Sequence, residues 1–324
     1  MKKKQELCNK INKQNKINCC FFETTVYFIL FIWYTTLVEF ILRSNKVNKF
    51  FRIIAILFII SVCLYTYARF IEPNMLSVHY ENITNELISK NTNDIKVLQF
   101  SDTHLSEYFS VEDLQKVVNK INEEEPDIVL FTGDLIDHYY KYSYIGDITQ
   151  IRGILGQINA PLGKYAIYGN HDYGGGAEKV YKDIMEDSGF VTLVNDSVDL
   201  KEYNLNVIGL DDSIFGNLDT EKLHELVDEE LFNIVISHEP DVIDLMLEYN
   251  IDLFLSGHSH GGQVNIPFVK SILPPLGEKY TKGLYEFENH RNTKLYVNIG
   301  IGTSQIPFRF MAQPELTVFT LKNE

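Results

Sequence analysis

Residues 253–262 read LFLSGHSHGG. An apolar run of strand length, Leu253–Ser256, stops at a glycine, and two imidazoles follow it, His258 and His260. A short apolar run bounded by a turn residue reads as a buried strand. In an extended chain or a tight turn, residues i and i+2 can point to one side, so the two rings can act as a pincer. Gly257 lets the backbone turn sharply enough to bring them together. The same arrangement recurs upstream. Lys96–Phe100 leads to Asp102 and His104, and Ile128–Thr132 leads to Gly133, Asp134 and Asp137. Tyr165–Tyr168 leads to Gly169, Asn170, His171 and Asp172, and Ile234–Ser237 to His238. Leu205–Gly209, Leu295–Ile299 and Leu316–Leu321 complete the expected strands.

Helical periods lie between them. Val111, Leu114, Val117, Val118 and Ile121 repeat at helical intervals behind Ser110, with Asp113 at capping-box distance. Further helices are expected at Ile148–Ile158, Ala177–Asp187, Thr220–Glu229 and Asp241–Tyr249. Strands alternating with helices define an α/β domain, with mixed sheets because the late strands follow one another without helices. In such folds polar residues just past the strand ends form the active site.

Composition narrows the chemistry. Of 324 residues, 29 are Lys or Arg and 44 are Asp or Glu, a net charge of −15. Residues 1–72 hold 11 basic against 4 acidic residues, a net of +7, so the remainder carries −22. Such a charge repels phosphate backbones, so no nucleic-acid binding surface is evident, and it attracts metal cations. Cys8, Cys19, Cys20 and Cys63 are the only cysteines. The large domain therefore has neither disulfides nor thiolate metal sites, and its chemistry must use oxygen and nitrogen donors. A lone D-x-H or H-x-H is weak. Five donor groups, each at a strand end, are not, and imidazoles mixed with carboxylates suit Mn, Fe or Zn.

The first 72 residues read as a membrane anchor of one or two hydrophobic helices, residues 73–94 as a linker, and 95–324 as the catalytic domain. Phe21–Leu42 is long enough to span but contains Glu23 and Glu39, whereas Ile53–Ala68 is uncharged between Arg52 and Arg69. If both stretches cross, the two basic clusters that precede them fall on opposite faces. If only the second crosses, both clusters stay inside and the large domain faces outward, which satisfies every charge.

Asp102-x-His104, Gly133-Asp134-x-x-Asp137, Gly169-Asn170-His171-Asp172, His238 and Gly257-His258-x-His260 together resemble the five blocks of the calcineurin-like metallophosphoesterases. Ser237-His238-Glu239-Pro240-Asp241, Gly261-Gly262-Gln263 and Pro307-x-Arg309-Phe310 are similar to the bacterial membrane-associated phosphodiesterase branch. The resemblance implies a four-layer αββα sandwich holding two divalent metal ions. Asp102, His104 and His260 would hold one ion, Asp134 would bridge, and Asn170, His238 and His258 would hold the second. It implies hydrolysis of a phosphate ester by a hydroxide bridging the ions, with His171 protonating the leaving oxygen and Asp137 orienting His171. His138 stands where the protein-phosphatase branch carries a phosphate-gripping Arg, which favours a diester or small monoester. Arg309 is a candidate replacement, or else a structural Arg paired with a surface carboxylate. A membrane tether suits a lipid-linked substrate, and some relatives are credited with cleaving the pyrophosphate of a UDP-diacylglucosamine. The competing reading is a scaffold or regulatory membrane protein on the same fold without turnover. Lost ligands would mark it, and all seven are present.

Overall fold

The structure, a computed structural model, describes residues 49–90, 94–142 and 147–324. The stretch Phe21–Leu42, the N-terminal lysines and the first three cysteines lie outside the described residues. Two compact units divide at Tyr65/Thr66. Of the first, the described part is the apolar helix Lys49–Thr66 as far as Tyr65, and none of the helix's side chains is buried. Eighteen residues rise about 27 Å, and by length and composition this helix can cross a membrane.

The second unit contains two six-stranded sheets. One is built from β1 (Ser77–Thr84), β2 (Ile95–Phe100), β3 (Ile128–Phe131), β4 (Gly163–Ala166), β5 (Val191–Thr192) and β12 (Glu315–Lys322), in the order β1-β12-β2-β3-β4-β5. The other is built from β6 (Asp196–Leu200), β7 (Leu205–Gly209), β8 (Phe232–Ile236), β9 (Leu253–Ser256), β10 (Gly283–Glu286) and β11 (Lys294–Val297), in the order β10-β11-β9-β8-β7-β6. β2 to β5 run parallel, as do β7, β8, β9 and β11.

Alternation along each strand explains the layering. Val97, Ile128, Leu130 and Tyr165 of the first sheet pack with Val207, Ile234, Ile236, Leu253 and Leu255 of the second. The opposite faces, through Leu98, Val129 and Phe131 on one side and Val235, Phe254 and Leu295 on the other, are covered by helices. The helix Val111–Glu123 carries the expected capping box of Ser110 and Asp113 and buries Leu114, Val117, Val118 and Ile121. Each such side chain contributes roughly 2 kcal/mol. The domain is thus a four-layer αββα sandwich.

Two expectations are corrected. The supposed linker 73–94 supplies β1, an edge strand paired in parallel with β12 from Ser77↔Glu315 to Thr84↔Lys322. Its sequence, SVHYENIT, is too polar to signal a strand, because an edge position leaves much of it open to solvent. The expected boundary at residue 72 also shifts, since Thr66 onward belongs to the second unit and Glu72 is buried there, accepting the Ala312 amide at 2.6 Å. In addition, Asp241–Tyr249 is not an α-helix but a 3₁₀ segment, Pro240–Leu245.

Candidate metal centre

The carboxyl ends of β2, β3 and β4 lie side by side in the first sheet, and those of β8 and β9 in the second. All nine side chains singled out in the sequence sit just beyond these ends. Two glycines make the convergence possible. Gly133 has φ +97°, and a Cβ there would lie 2.6 Å from the Gly169 amide and 2.9 Å from His238 Nδ1. At Gly257 a Cβ would collide with Ser101 and Asp102, so only glycine lets β9 approach the end of β2 this closely. The His258 amide then donates to the Asp102 carboxylate at 3.1–3.2 Å.

Asp102, His104 and His260 offer ligand atoms within 4.8 Å of one another, as do Asp102, Asp134 and His238. His260 Nε2 lies 3.1 Å from His104 Nε2 and 3.5 Å from Asp102 Oδ1. Asp134 Oδ2 is 3.4 Å from His104 Nε2 and 3.2 Å from His238 Nε2, which also faces Asn170 Oδ1 at 3.2 Å. His238 and His258 form a third group with Glu239, a residue whose candidacy the sequence reading missed. Its only signal was its position next to His238.

Three rings are held from behind. His238 Nδ1 donates to the Thr132 carbonyl at 2.7 Å, and His258 Nε2 to that of Pro275 at 2.9 Å. His104 Nδ1 meets Asp137 Oδ1 at 3.2 Å. Fixing one ring nitrogen leaves the other as a lone-pair donor aimed at the centre, the usual device around a metal-binding imidazole. The Thr132 and Pro275 carbonyls are backbone groups and could not be read from residue type.

Electrostatics fit a cation. Asp102 and Asp134 are buried, at 0% and 2% exposure. Burial opposes their charge, yet the surrounding imidazoles, His260 for Asp102 and His238 for Asp134, pull both carboxyls below their ordinary range. Burial likewise opposes charge on His104, but the neighbouring carboxylates of Asp102 and Asp137 push it up to about 10, and Asp134 drives His238 well above its usual value. Burial, aided by His238, lowers His258 to about 4. Burial, with His104 and Arg309 adding to it, holds His260 well below its usual value. Two carboxylates held ionised and two imidazoles held neutral bring lone pairs together in one buried space, and such a set binds divalent cations in competition with the protons that His104 and His238 retain.

The backbone is strained at the same spot. Asp102, His104, Asp134, His258 and His260 all have positive φ, between +43° and +68°. His258 and His260 therefore come together through a tight turn rather than an extended pair. Left-handed non-glycine residues cost on the order of 1–3 kcal/mol each and gather at functional sites. Asp172 supports the turn: its carboxylate accepts the amides of Asp134, Leu135 and Gly169 at 2.7–2.9 Å.

Two expected roles change. Asp137 takes His171 Nδ1 on its main-chain carbonyl at 2.6 Å, whereas its carboxylate is 3.7 Å from that nitrogen and nearer His104. Arg309 neither grips phosphate nor meets a surface carboxylate. It is wholly buried, donating to the carbonyls of Ile299, Gly302 and Ala312 at 2.6–3.1 Å, with Nη2 3.5 Å from His260 Nδ1. The expected result of Arg309→Met is a loss of about 3 kcal/mol or more of unfolding free energy, since three buried carbonyls lose their donors. Denaturant titration measures it, and an unchanged midpoint would contradict the structural role.

Comparisons place the chain. The family model for calcineurin-like phosphoesterases matches residues 95–262. The metallophosphoesterase YkuE of Bacillus subtilis (strain 168) is 42% identical over 80% of this chain and 90% of that protein. A metallophosphoesterase of Aquifex aeolicus (strain VF5) is 30% identical over 82% of this chain and 98% of its own length. The UDP-2,3-diacylglucosamine pyrophosphatase LpxG of Chlamydia muridarum (strain MoPn / Nigg) is 26% identical over 79% of this chain and 92% of that one. With the matched region starting at β2 and ending at Gly262, just after the second imidazole of the pincer, the chain belongs to the calcineurin-like phosphoesterase family.

Proposed function

We propose that this protein is a membrane-anchored phosphodiesterase that uses two divalent ions to hydrolyse lipid-linked phosphodiesters or pyrophosphates. The observation that carries this reading is the meeting of the Asp102, His104, Asp134, His238 and His260 donor atoms in one buried space, with ring nitrogens fixed from behind. When bound, the ions would supply a deprotonated water at neutral pH and positive charge for the phosphoryl oxygens. Mn, Fe and Zn all suit this donor set.

The residues then divide the work. Asp102, His104 and His260 would hold one ion, Asn170, His238 and His258 the other, and Asp134 would serve both. The neutral amide of Asn170 limits the anionic charge around the pair. Asp137 keeps His104 in register with its carboxylate and His171 with its carbonyl. His171, one ring nitrogen tied down and its side chain 27% exposed, presents the other nitrogen to the leaving oxygen and gives it a proton. Lipid linkage is supported by the apolar helix Lys49–Thr66 and by the relative named as a UDP-2,3-diacylglucosamine pyrophosphatase.

Metal analysis of the purified full chain tests the reading, together with a panel of mono- and diesters. The expected result is two divalent ions per chain and diester hydrolysis that a chelator abolishes and added Mn²⁺ restores. An ion-free protein whose hydrolysis ignores chelators overturns it.

A further inference from the structure

Between Val264 and Leu276 the chain reads VNIPFVKSILPPL, thirteen residues with one charge, Lys270. Most of its apolar side chains are open to solvent. Phe268 and Ile272 stand almost clear of the protein, at 108% and 93% of full exposure, and Ile266 and Val269 are more than half exposed. The loop is nonetheless built. The Val269 amide donates to the Ile266 carbonyl at 3.0 Å, the Ser271 hydroxyl bonds the Asn265 side chain, and Phe268 is held at φ +68° on a turn. Soluble surfaces rarely present such an apolar tip without a partner.

Its neighbours say which partner. The Asn265 amide donates to the Phe310 carbonyl at 2.8 Å, and the Asn265 side chain to that of Met311, itself exposed. The Arg309 amide in turn donates to the Ala68 carbonyl at 2.9 Å, and the Phe310 ring meets Tyr67 edge-on at 6.3 Å. Thus the loop, the segment 309–311 and residues 67–68 form one hydrogen-bonded patch. Residues 67–68 directly follow an apolar helix of spanning length. At no more than about 3.6 Å per residue, chain continuity keeps them within about 10 Å of the point where that helix leaves a bilayer. In a domain of net −22, the patch carries Lys270 and Arg69, whose guanidinium lies over the Phe70 and Tyr108 rings at 4.8 and 5.1 Å. Apolar tips with cations at the rim are the composition of surfaces that enter a lipid interface.

We infer that residues 264–276 are a membrane-docking loop that dips into the lipid interface and sets the metal centre at headgroup level. The loop begins four residues after His260 and contains, near its end, Pro275, whose carbonyl holds His258. Insertion of its tip therefore places the mouth of the site against the phosphates of lipid-borne esters. The inference rests on the membrane-anchored reading above.

The test uses the full chain in vesicles of phosphatidylcholine and phosphatidylglycerol with brominated acyl chains. Trp33 is the single tryptophan, so Trp33→Phe combined with Phe268→Trp leaves one indole, at position 268. Bromine is expected to quench its emission by about half or more, as for a side chain buried several ångströms deep. Unquenched emission at the solvent-exposed wavelength overturns the inference. So does unquenched, blue-shifted emission accompanied by cross-linked dimers, which would make a second copy the occupant. In the Phe268→Asp/Ile272→Asp variant, kcat/KM for a bilayer-embedded diester should fall about tenfold or more while that for a water-soluble 4-nitrophenyl diester stays within twofold. Equal rates on both overturn the inference. A protein inactive on every ester but still quenched refutes the phosphodiesterase reading and leaves the docking loop standing.

Discussion

Asp134→Asn is expected to lower turnover more than about 1000-fold and to reduce bound metal to below one ion per chain. The side chain is almost wholly buried and its two oxygens are already committed. Oδ1 accepts the His171 amide at 2.8 Å, while Oδ2 faces His104 Nε2 and His238 Nε2, which belong to the two different ligand groups. An asparagine keeps the shape. If its carbonyl stays on the His171 amide, its NH₂ must turn toward the two imidazoles, where a lone pair is needed. The substitution thus removes one negative charge and replaces an acceptor with a donor at the position proposed to be shared by both ions. Elemental analysis and steady-state kinetics on the same preparation measure both effects. A variant that kept two ions and near-normal kcat would show that the bridge lies elsewhere and that the ligand assignment is wrong.

That Asp134 matters could be read from a Gly-Asp following an apolar run, but how it is placed could not. β7 and β9 have the bounds expected from sequence, because both are wholly buried and their residues are apolar or small apart from Asn206. The strands that escaped notice, β1, β5, β6 and β10, are short or lie near the sheet edges, where one side meets water and polar residues are tolerated. The donor residues were legible because chemistry demands those types. Their supports were not, because the carbonyls of Thr132, Pro275 and Asp137 belong to the backbone, and any residue offers one. Nor did the five left-handed candidate ligands leave a mark: aspartate and histidine enter such turns readily but occur too widely elsewhere to advertise one, as glycine does. Arg309 misled for a related reason. An arginine near a phosphate site suggests a phosphate partner, and only burial against three carbonyls shows that it braces the turn behind His260 instead.

Removing the His171 ring separates a proton donor from a ligand, and His171→Ala is expected to lower kcat by about 10²- to 10⁴-fold with two ions retained. The variant is clean because the amide of residue 171, which holds Asp134, survives the truncation. What is lost is the ring, packed edge-on to His104 at 4.7 Å and anchored through Nδ1 on the Asp137 carbonyl. A ring atom of His171 also lies within 4.8 Å of the His104 and Asp134 donors, so geometry alone admits it as a third ligand. Metal analysis decides: if an ion leaves with the ring, His171 is a ligand and the acid role is misplaced. If both ions stay, the dependence on leaving group decides what the ring does. A group that only holds the phosphate costs every substrate the same factor when removed. A group that protonates the departing oxygen costs most where that oxygen is most basic, so alkyl diesters should lose far more activity than 4-nitrophenyl diesters. Equal losses across the series would assign His171 to binding rather than proton transfer.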